Sequence, residues 1–122
     1  MNKFIRGFGY ALKGLWYACK TQLNFRVHLV CGLVAAYLGY TLKISTGEWL
    51  WIVLCIGIVL LTELLNTALE LLCDVISPEY NEKIGHVKDI SAGAVLVTAL
   101  TELVIGAIIF LPKLLLLIHY AA

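Results

Sequence analysis

Apolar and cationic positions alternate at helical period over residues 3–23. Phe4, Ile5, Phe8, Leu12, Leu15, Trp16, Cys19 and Leu23 fall on one arc when successive residues are turned by about 100°. Lys3, Arg6, Lys13 and Lys20 fall on the opposite arc, with Tyr10 and Tyr17 beside them. The pattern predicts an amphipathic helix lying in a membrane interface, its cations towards headgroups or water. Two roles fit that cationic face: plain anchoring, or anchoring combined with cover for a phosphate-bearing ligand. Three apolar stretches follow, at about 27–42, 49–73 and 90–111, and each is predicted to span a bilayer. The first is short and borrows length from Asn24 and Phe25. Lys43 ends it, residues 44–48 make a tight external turn, and Trp49 and Trp51 suit an interfacial belt. Residues 74–89, with Pro78 and Gly85, read as a loop with helical extensions. Pro112 and Lys113 close the third span, and the apolar tail beyond is expected to rest in the outer interface.

Within the second stretch the apolar pattern is broken on one face only. Asn66, Thr67, Glu70 and Asp74 lie three, four, seven and eleven residues after Glu63, offsets that return to one side of a helix. Ionisable side chains inside a membrane are costly and by default mark a functional site. The bland alternative is a stripe that joins helices through hydrogen bonds. That reading serves Asn66 or Thr67 alone better than it serves three carboxylates on one face.

Composition agrees with the pattern. The chain has 122 residues, 61% of them hydrophobic, with a mean hydropathy of +0.93. These values predict an all-α integral membrane protein, residues 1–122 forming a single domain. Three spans make a thin bundle with little interior for a polar stripe, so oligomers are expected, with the site between subunits. Net charge is +1, yet Lys3, Arg6, Lys13, Lys20 and Arg26 precede the first span and no acid precedes Glu48. By the positive-inside rule the N-terminus is cytoplasmic, in a cell (inner) membrane crossed several times. The four cysteines show no metal-like spacing and read as small apolar residues. No signal peptide and no nucleic-acid partner are expected.

The stripe suggests a chemistry. Glu70 and Asp74, near the cytoplasmic end, are hard oxygen ligands suited to Mg²⁺ that also binds phosphate. Glu63 lies two turns deeper, about 10 Å along the axis. A carboxylate held out of water there suits a general base acting on a lipid hydroxyl. Lys88, Lys3 and Arg6 neutralise phosphate oxygens from the water side. Together they describe a phosphoryl-transfer site at the membrane surface.

The same residues carry a family resemblance. E-L-L-N-T-A-L-E-L-L-C-D (Glu63 to Asp74), then K-D-I-S-A-G-A-V-L (Lys88 to Leu96), resembles the prokaryotic diacylglycerol kinase family, which includes undecaprenol kinases. N-F-R-V-H (Asn24 to His28) and K-G-L at Lys13 match too, so the likeness covers essentially the whole chain. It implies a three-span homotrimer with an N-terminal surface helix and sites shared between neighbours. It implies transfer of the ATP γ-phosphoryl group to a membrane lipid alcohol, undecaprenol or diacylglycerol, without a P-loop. By the resemblance Glu63 is the general base, Asn66 supports the site and Glu70 holds metal. Lys3, Tyr10, Glu79, Tyr80, Asn81, Lys88 and Asp89 contact nucleotide, together with Glu70. Asn24, Phe25 and Arg26 lie near the lipid.

The chain also departs from the pattern. Gln22 stands where some members have a metal-binding glutamate, which removes one negative charge. Ala92 replaces the serine of some diacylglycerol-specific members, at a position that bears on the lipid substrate. The S-A-G-A-V-L run and N-F-R-V-H look more like the undecaprenol-kinase branch. Glu102, mid-way along the third span, matches no family motif and projects about 140° from Asp89. It is expected to be satisfied by Thr98, Thr101 or a neighbouring helix, with substrate handling as the alternative. His28 is expected to serve structure or lipid access, His86 and His119 to face solvent, and no zinc site is expected. Two rivals remain at this level: a small oligomeric channel or carrier lined by the stripe, and a kinase relative weakened at Gln22.

Overall fold

The computed structural model describes residues 2–122. It contains α1 (Lys3–Thr21), α2 (Leu23–Thr41), α3 (Thr46–Ile76) and α4 (Glu82–Ala121). Asn2 starts α1, its side-chain oxygen accepting the Phe4 N–H at 3.0 Å. Ala18 is the one buried residue on α1, so the apolar arc of Phe4, Phe8, Leu12 and Trp16 is left uncovered by the rest of the chain, as an interfacial helix requires. Gln22 alone is extended between α1 and α2 (φ −113°, ψ 109°). Arg26 closes that joint by donating to the carbonyls of Cys19 at 2.8 Å and Lys20 at 3.1 Å, the orphan acceptors at the end of α1.

The opposite end of the bundle, expected to be the outer one, is built differently. Lys43 takes a left-handed conformation (φ 54°) to turn the chain. Ser45 and Glu48 then form a capping box, Glu48 N–H to Ser45 Oγ at 3.2 Å and Ser45 N–H to Glu48 Oε1 at 3.0 Å. The second Glu48 oxygen accepts from Lys113 Nζ at 2.8 Å and ties α3 to α4. Lys113 and the cap together hold the Glu48 carboxyl below its usual range. Ile44, Ile52, Ile109 and Phe110 make the buried apolar core there. Gly39 lets α2 approach it: a Cβ at this position would lie 2.8 Å from the Trp49 ring and 3.0 Å from Ile44.

α3 is the central helix and touches the other three. Its hydroxyl at Thr62 meets that of Thr98 on α4 at 3.1 Å. α2, α3 and α4 are each long and apolar enough to cross a membrane, which confirms the three expected spans. Two extents differ from the expectation. The 74–89 stretch is mostly helical, leaving only 77–81 between α3 and α4, because Asn81 caps α4 by accepting from Lys83 and Ile84 N–H at 3.0 and 3.3 Å. Pro112 does not stop α4, which continues to Ala121. Proline removes one backbone donor, and Leu114 to Ile118 keep the helix apolar on every side beyond it.

Replacing Gly39 with Ala forces Trp49 or Ile44 to move and is expected to cost about 1–3 kcal/mol, the range for overpacking a tight contact. Thermal melting in detergent micelles should show the loss, and an unchanged midpoint would mean that the outer core yields freely.

Candidate active site

Glu63 is 1% exposed although it carries a carboxyl group in the middle of α3. Three neighbours face that carboxyl: the Asn24 amide and His28 from α2, and Glu70 one face-repeat along α3. Its Oε2 has no hydrogen-bond partner among the described residues. Thr67 donates its hydroxyl back to the Glu63 carbonyl at 3.0 Å, so its one proton is engaged with the backbone and not with the carboxyl.

Asn66 is 7% exposed and donates through Nδ2 to Glu70 Oε1 at 3.1 Å. That bond leaves the amide oxygen without a partner among the described residues, buried at the base of a cavity of about 400 Å³ between α3 and α4. Ser91 and Thr62 line the same cavity, and neither stood out as a site residue in the sequence. The signal for Ser91 was its place in the S-A-G-A run, where the neighbouring Ala92 drew the reading instead. Ala92 itself is exposed on α4.

Nearer the water, Lys88 on the extension of α4 donates to Asp74 Oδ1 at 2.6 Å. The hydrogen bond to Asp74 holds the Lys88 ammonium above its usual range, and Glu70 adds to the same field. Glu63, Asn66, Glu70, Asp74 and Lys88 are therefore one graded series, from a dry carboxyl to an exposed ion pair. Asp89, Lys3, Tyr10, Glu79 and Tyr80 are all exposed and stand apart from the buried part of the series. Tyr10 carries Lys13 Nζ above its ring at 5.8 Å. Asn81 is occupied in capping α4, as described above. Gln22 sits at the α1–α2 joint, its Nε2 donating to Thr21 Oγ1 at 3.3 Å. Asn24 reaches Glu63, whereas Phe25 is 2% exposed and packs inside the joint, closed off from any surface. Arg26 is engaged with the end of α1.

No three His, Cys, Asp or Glu residues gather into a metal cage among the described residues. A Mg²⁺ ion that arrives with phosphate needs only one or two protein carboxylates. Glu70, with one oxygen fixed by Asn66, fits that demand. The model of the family described as prokaryotic diacylglycerol kinase matches residues 9–110. The chain belongs to that family. It is a membrane lipid kinase by descent, and the buried stripe lies inside the matched region. An undecaprenol kinase from Bacillus subtilis is 38% identical over 114 residues, 93% of each chain. A diacylglycerol kinase from Synechocystis is 37% identical over 109 residues, 88% of this chain and 62% of its own. One from Escherichia coli is 29% identical over 108 residues, 88% of each.

The Lys88–Asp74 pair has half-exposed to exposed side chains, 40% and 61%. Such pairs contribute little to folding, so Lys88→Ala is expected to leave the melting midpoint close to the parent's. Melting of the variant in micelles should show this, and a collapse of the fold would make Lys88 a structural residue instead.

Proposed function

We propose that this family member transfers the γ-phosphoryl group of ATP to the hydroxyl of a membrane lipid alcohol at the cytoplasmic surface, undecaprenol being preferred over diacylglycerol. The carrying observation is Glu63, a carboxyl buried to 1% exposure with one unpartnered oxygen, in line with a wet ion pair eleven residues along the same helix. A lipid hydroxyl reaches the protein from hydrocarbon, and the phosphate donor reaches it from water. Glu63 and Asp74 are about 16 Å apart along the axis, so α3 runs between the two media.

In this reading Glu63 accepts the hydroxyl proton as the lipid oxygen bonds to the γ-phosphorus. The bond from that phosphorus to the bridging oxygen breaks, and ADP departs with the electron pair. Lys88 and Lys3 neutralise phosphate oxygens, and Tyr10, Glu79, Tyr80 and Asp89 bound the nucleotide from the water side. Asn66 fixes Glu70 through its 3.1 Å hydrogen bond. Mg²⁺ accompanying ATP would be held by Glu70, with Asp74 and Gln22 at the margin, and would supply further charge neutralisation. Most of the catalysis is positioning and electrostatics, as phosphoryl transfer allows.

Two features support undecaprenol as the acceptor. S-A-G-A-V-L and N-F-R-V-H resemble that branch, and the undecaprenol kinase relative is 38% identical over 93% of its length, against 29% over 88% for the Escherichia coli diacylglycerol kinase. The N-terminus is placed in the cytoplasm of the inner membrane on the basic bias before Glu48. The working unit is a homotrimer, in which neighbouring copies cover apolar faces that a single chain leaves open. A channel or carrier would need the polar path to continue outward. Residues 49–61 supply none, and the packing of Ile44, Ile52, Ile109 and Phe110 at the outer end favours the enzyme over a conduit.

Purified protein in micelles, given labelled ATP and Mg²⁺ with each lipid separately, tests the reading. Undecaprenol should be phosphorylated faster than diacylglycerol, and Glu63→Gln should lower the rate by about 10²–10⁴-fold. No product from either lipid with folded protein would refute it.

A further inference from the structure

The threonine hydroxyls deep in α3 and α4 return their protons to the backbone. Thr62 and Thr67 donate to carbonyls of α3 at 3.0 Å, and Thr98 and Thr101 donate to carbonyls of α4 at 2.7 and 2.8 Å. Thr98 and Thr101 therefore have no proton left for Glu102, against the expectation above. Ser91 on α4 behaves differently. It is 8% exposed and makes no hydrogen bond among the described residues, either with a neighbour or with its own helix. It lines the α3–α4 cavity of about 400 Å³ at whose base the Asn66 amide oxygen also lacks a partner.

Helix register brings the serine and the amide to one level of the bundle. The Thr62–Thr98 hydroxyl pair sets α4 against α3 and puts Asn66 level with Ala94. Ser91 then lies about 4.5 Å closer to the Asp74 end, near the height of Glu70. Asn66 is flanked on two sides. Its Nδ2 holds Glu70 Oε1 at 3.1 Å, and its oxygen opens into the cavity that Ser91 bounds. Thr62, in the same cavity, has its proton engaged, and the remaining lining of Leu65, Leu69, Val87, Ile90 and Ala94 is apolar. A guest on this polar floor must give a proton to the amide oxygen and accept one from the serine. A hydroxyl or a water does both, whereas ionised phosphate oxygens only accept. Undecaprenol has a single hydroxyl, which in the reaction above is held by Glu63. Water is the guest that remains.

Resting on the kinase reading above, we infer that Ser91 is a positioning residue: its hydroxyl and the Asn66 oxygen hold one buried water, which keeps the Asn66 N–H group turned towards Glu70. Two polar partners are enough to hold a water in a cavity of this size. An amide turned over by 180° sets its oxygen against the Glu70 carboxylate, so that two acceptors face each other and Glu70 loses its fixed geometry. The water gives the oxygen a donor on the cavity side and makes the observed orientation the satisfied one. Ser91 touches neither lipid nor nucleotide in this arrangement. It acts through Asn66 on Glu70, the group that meets the phosphate side of the reaction.

The water can be read without turnover. Magnetisation transfer from water to the Asn66 side-chain amide protons would be measured by NMR on the full-length protein in micelles, with neither lipid substrate nor nucleotide present. The parent should show the transfer. Ser91→Ala should lose it, and alanine suits the interior of α4. Val87→Ala, which reshapes the same cavity and leaves both polar groups, should keep it. Binding of Mn²⁺ with a non-hydrolysable ATP analogue, followed by the electron paramagnetic resonance of free Mn²⁺, is expected to weaken about 2–10-fold in Ser91→Ala, the range for one lost hydrogen bond. In the kinase assay the KM for Mg·ATP should rise by a similar factor at unchanged lipid KM. A parent without the transfer, or a transfer that survives in Ser91→Ala, would overturn the proposal. Loss in Val87→Ala as well would trace the signal to cavity shape and overturn it too. Loss in Ser91→Ala at unchanged Mn²⁺ affinity would make Ser91 a structural hydroxyl and remove its positioning role. A rise in lipid KM alone, or a parent signal that vanishes when undecaprenol is added, would give the Asn66 oxygen to the lipid instead of to water. A parent that shows the transfer but phosphorylates neither lipid would refute the kinase reading and leave the water bridge standing.

Discussion

A carboxyl group out of reach of water in an apolar chain is the constraint around which this molecule is arranged. Leaving such a group charged in hydrocarbon is so unfavourable that the surroundings must either neutralise it or supply polar partners. At Glu63 those partners come from two helices, with Asn24 and His28 on α2 and Glu70 along α3. They meet there because the single extended residue Gln22 and the Arg26 clasp on the end of α1 fix where α2 begins. Phe25, buried in the same joint, fills the space beside the polar cluster. The joint between surface helix and first span is thus part of the site and more than an anchor for it.

The two ends of the bundle divide the work. The outer end is held by a side-chain core, a capping box and the 2.8 Å contact between Lys113 and Glu48. Nothing there continues the polar stripe. The inner end is held more lightly, through the Thr62–Thr98 hydroxyl pair and the exposed Lys88–Asp74 pair. Apolar packing and caps supply most of a helix bundle's stability, whereas an exposed ion pair supplies little. The groups proposed to carry the reaction can then sit towards the Asp74 end without being required to hold the helices together.

Much of this was legible in the sequence because the relevant physics is periodic. The 3.6-residue repeat exposed both the amphipathic α1 and the one-sided stripe, and run length exposed the three spans. What was illegible depended on pairs of residues far apart in the chain. Proline read locally as a stop, yet α4 passes Pro112 because apolar residues continue on every side. Asn81 also begins α4 through its side chain, a capping role that the loop reading of 74–89 did not show. The near-complete burial of Phe25 beside the α1–α2 joint was likewise not visible in the sequence. Glu102 projected away from Asp89 on its own helix, which was true and misleading. It lines a groove between α2, α3 and α4, and no single-helix projection can reveal that.

The unpartnered oxygens of Glu63 and Asn66 lie three residues apart on the same face of α3, yet they call for different ligands. Asn66 has its amide N–H engaged with Glu70, so what it still offers is an acceptor oxygen at the base of the α3–α4 cavity. Glu63, when ionised, also offers only an acceptor. A hydroxyl carries one donor, so a single lipid alcohol satisfies one of these two oxygens and not both. The proton of the reacting hydroxyl belongs with the stronger acceptor, the carboxylate. Asn66 is then left to act through Glu70, holding the group that meets the phosphate side of the reaction. In the proposed reaction the two neighbouring residues therefore serve opposite partners: one the lipid, the other the phosphoryl donor.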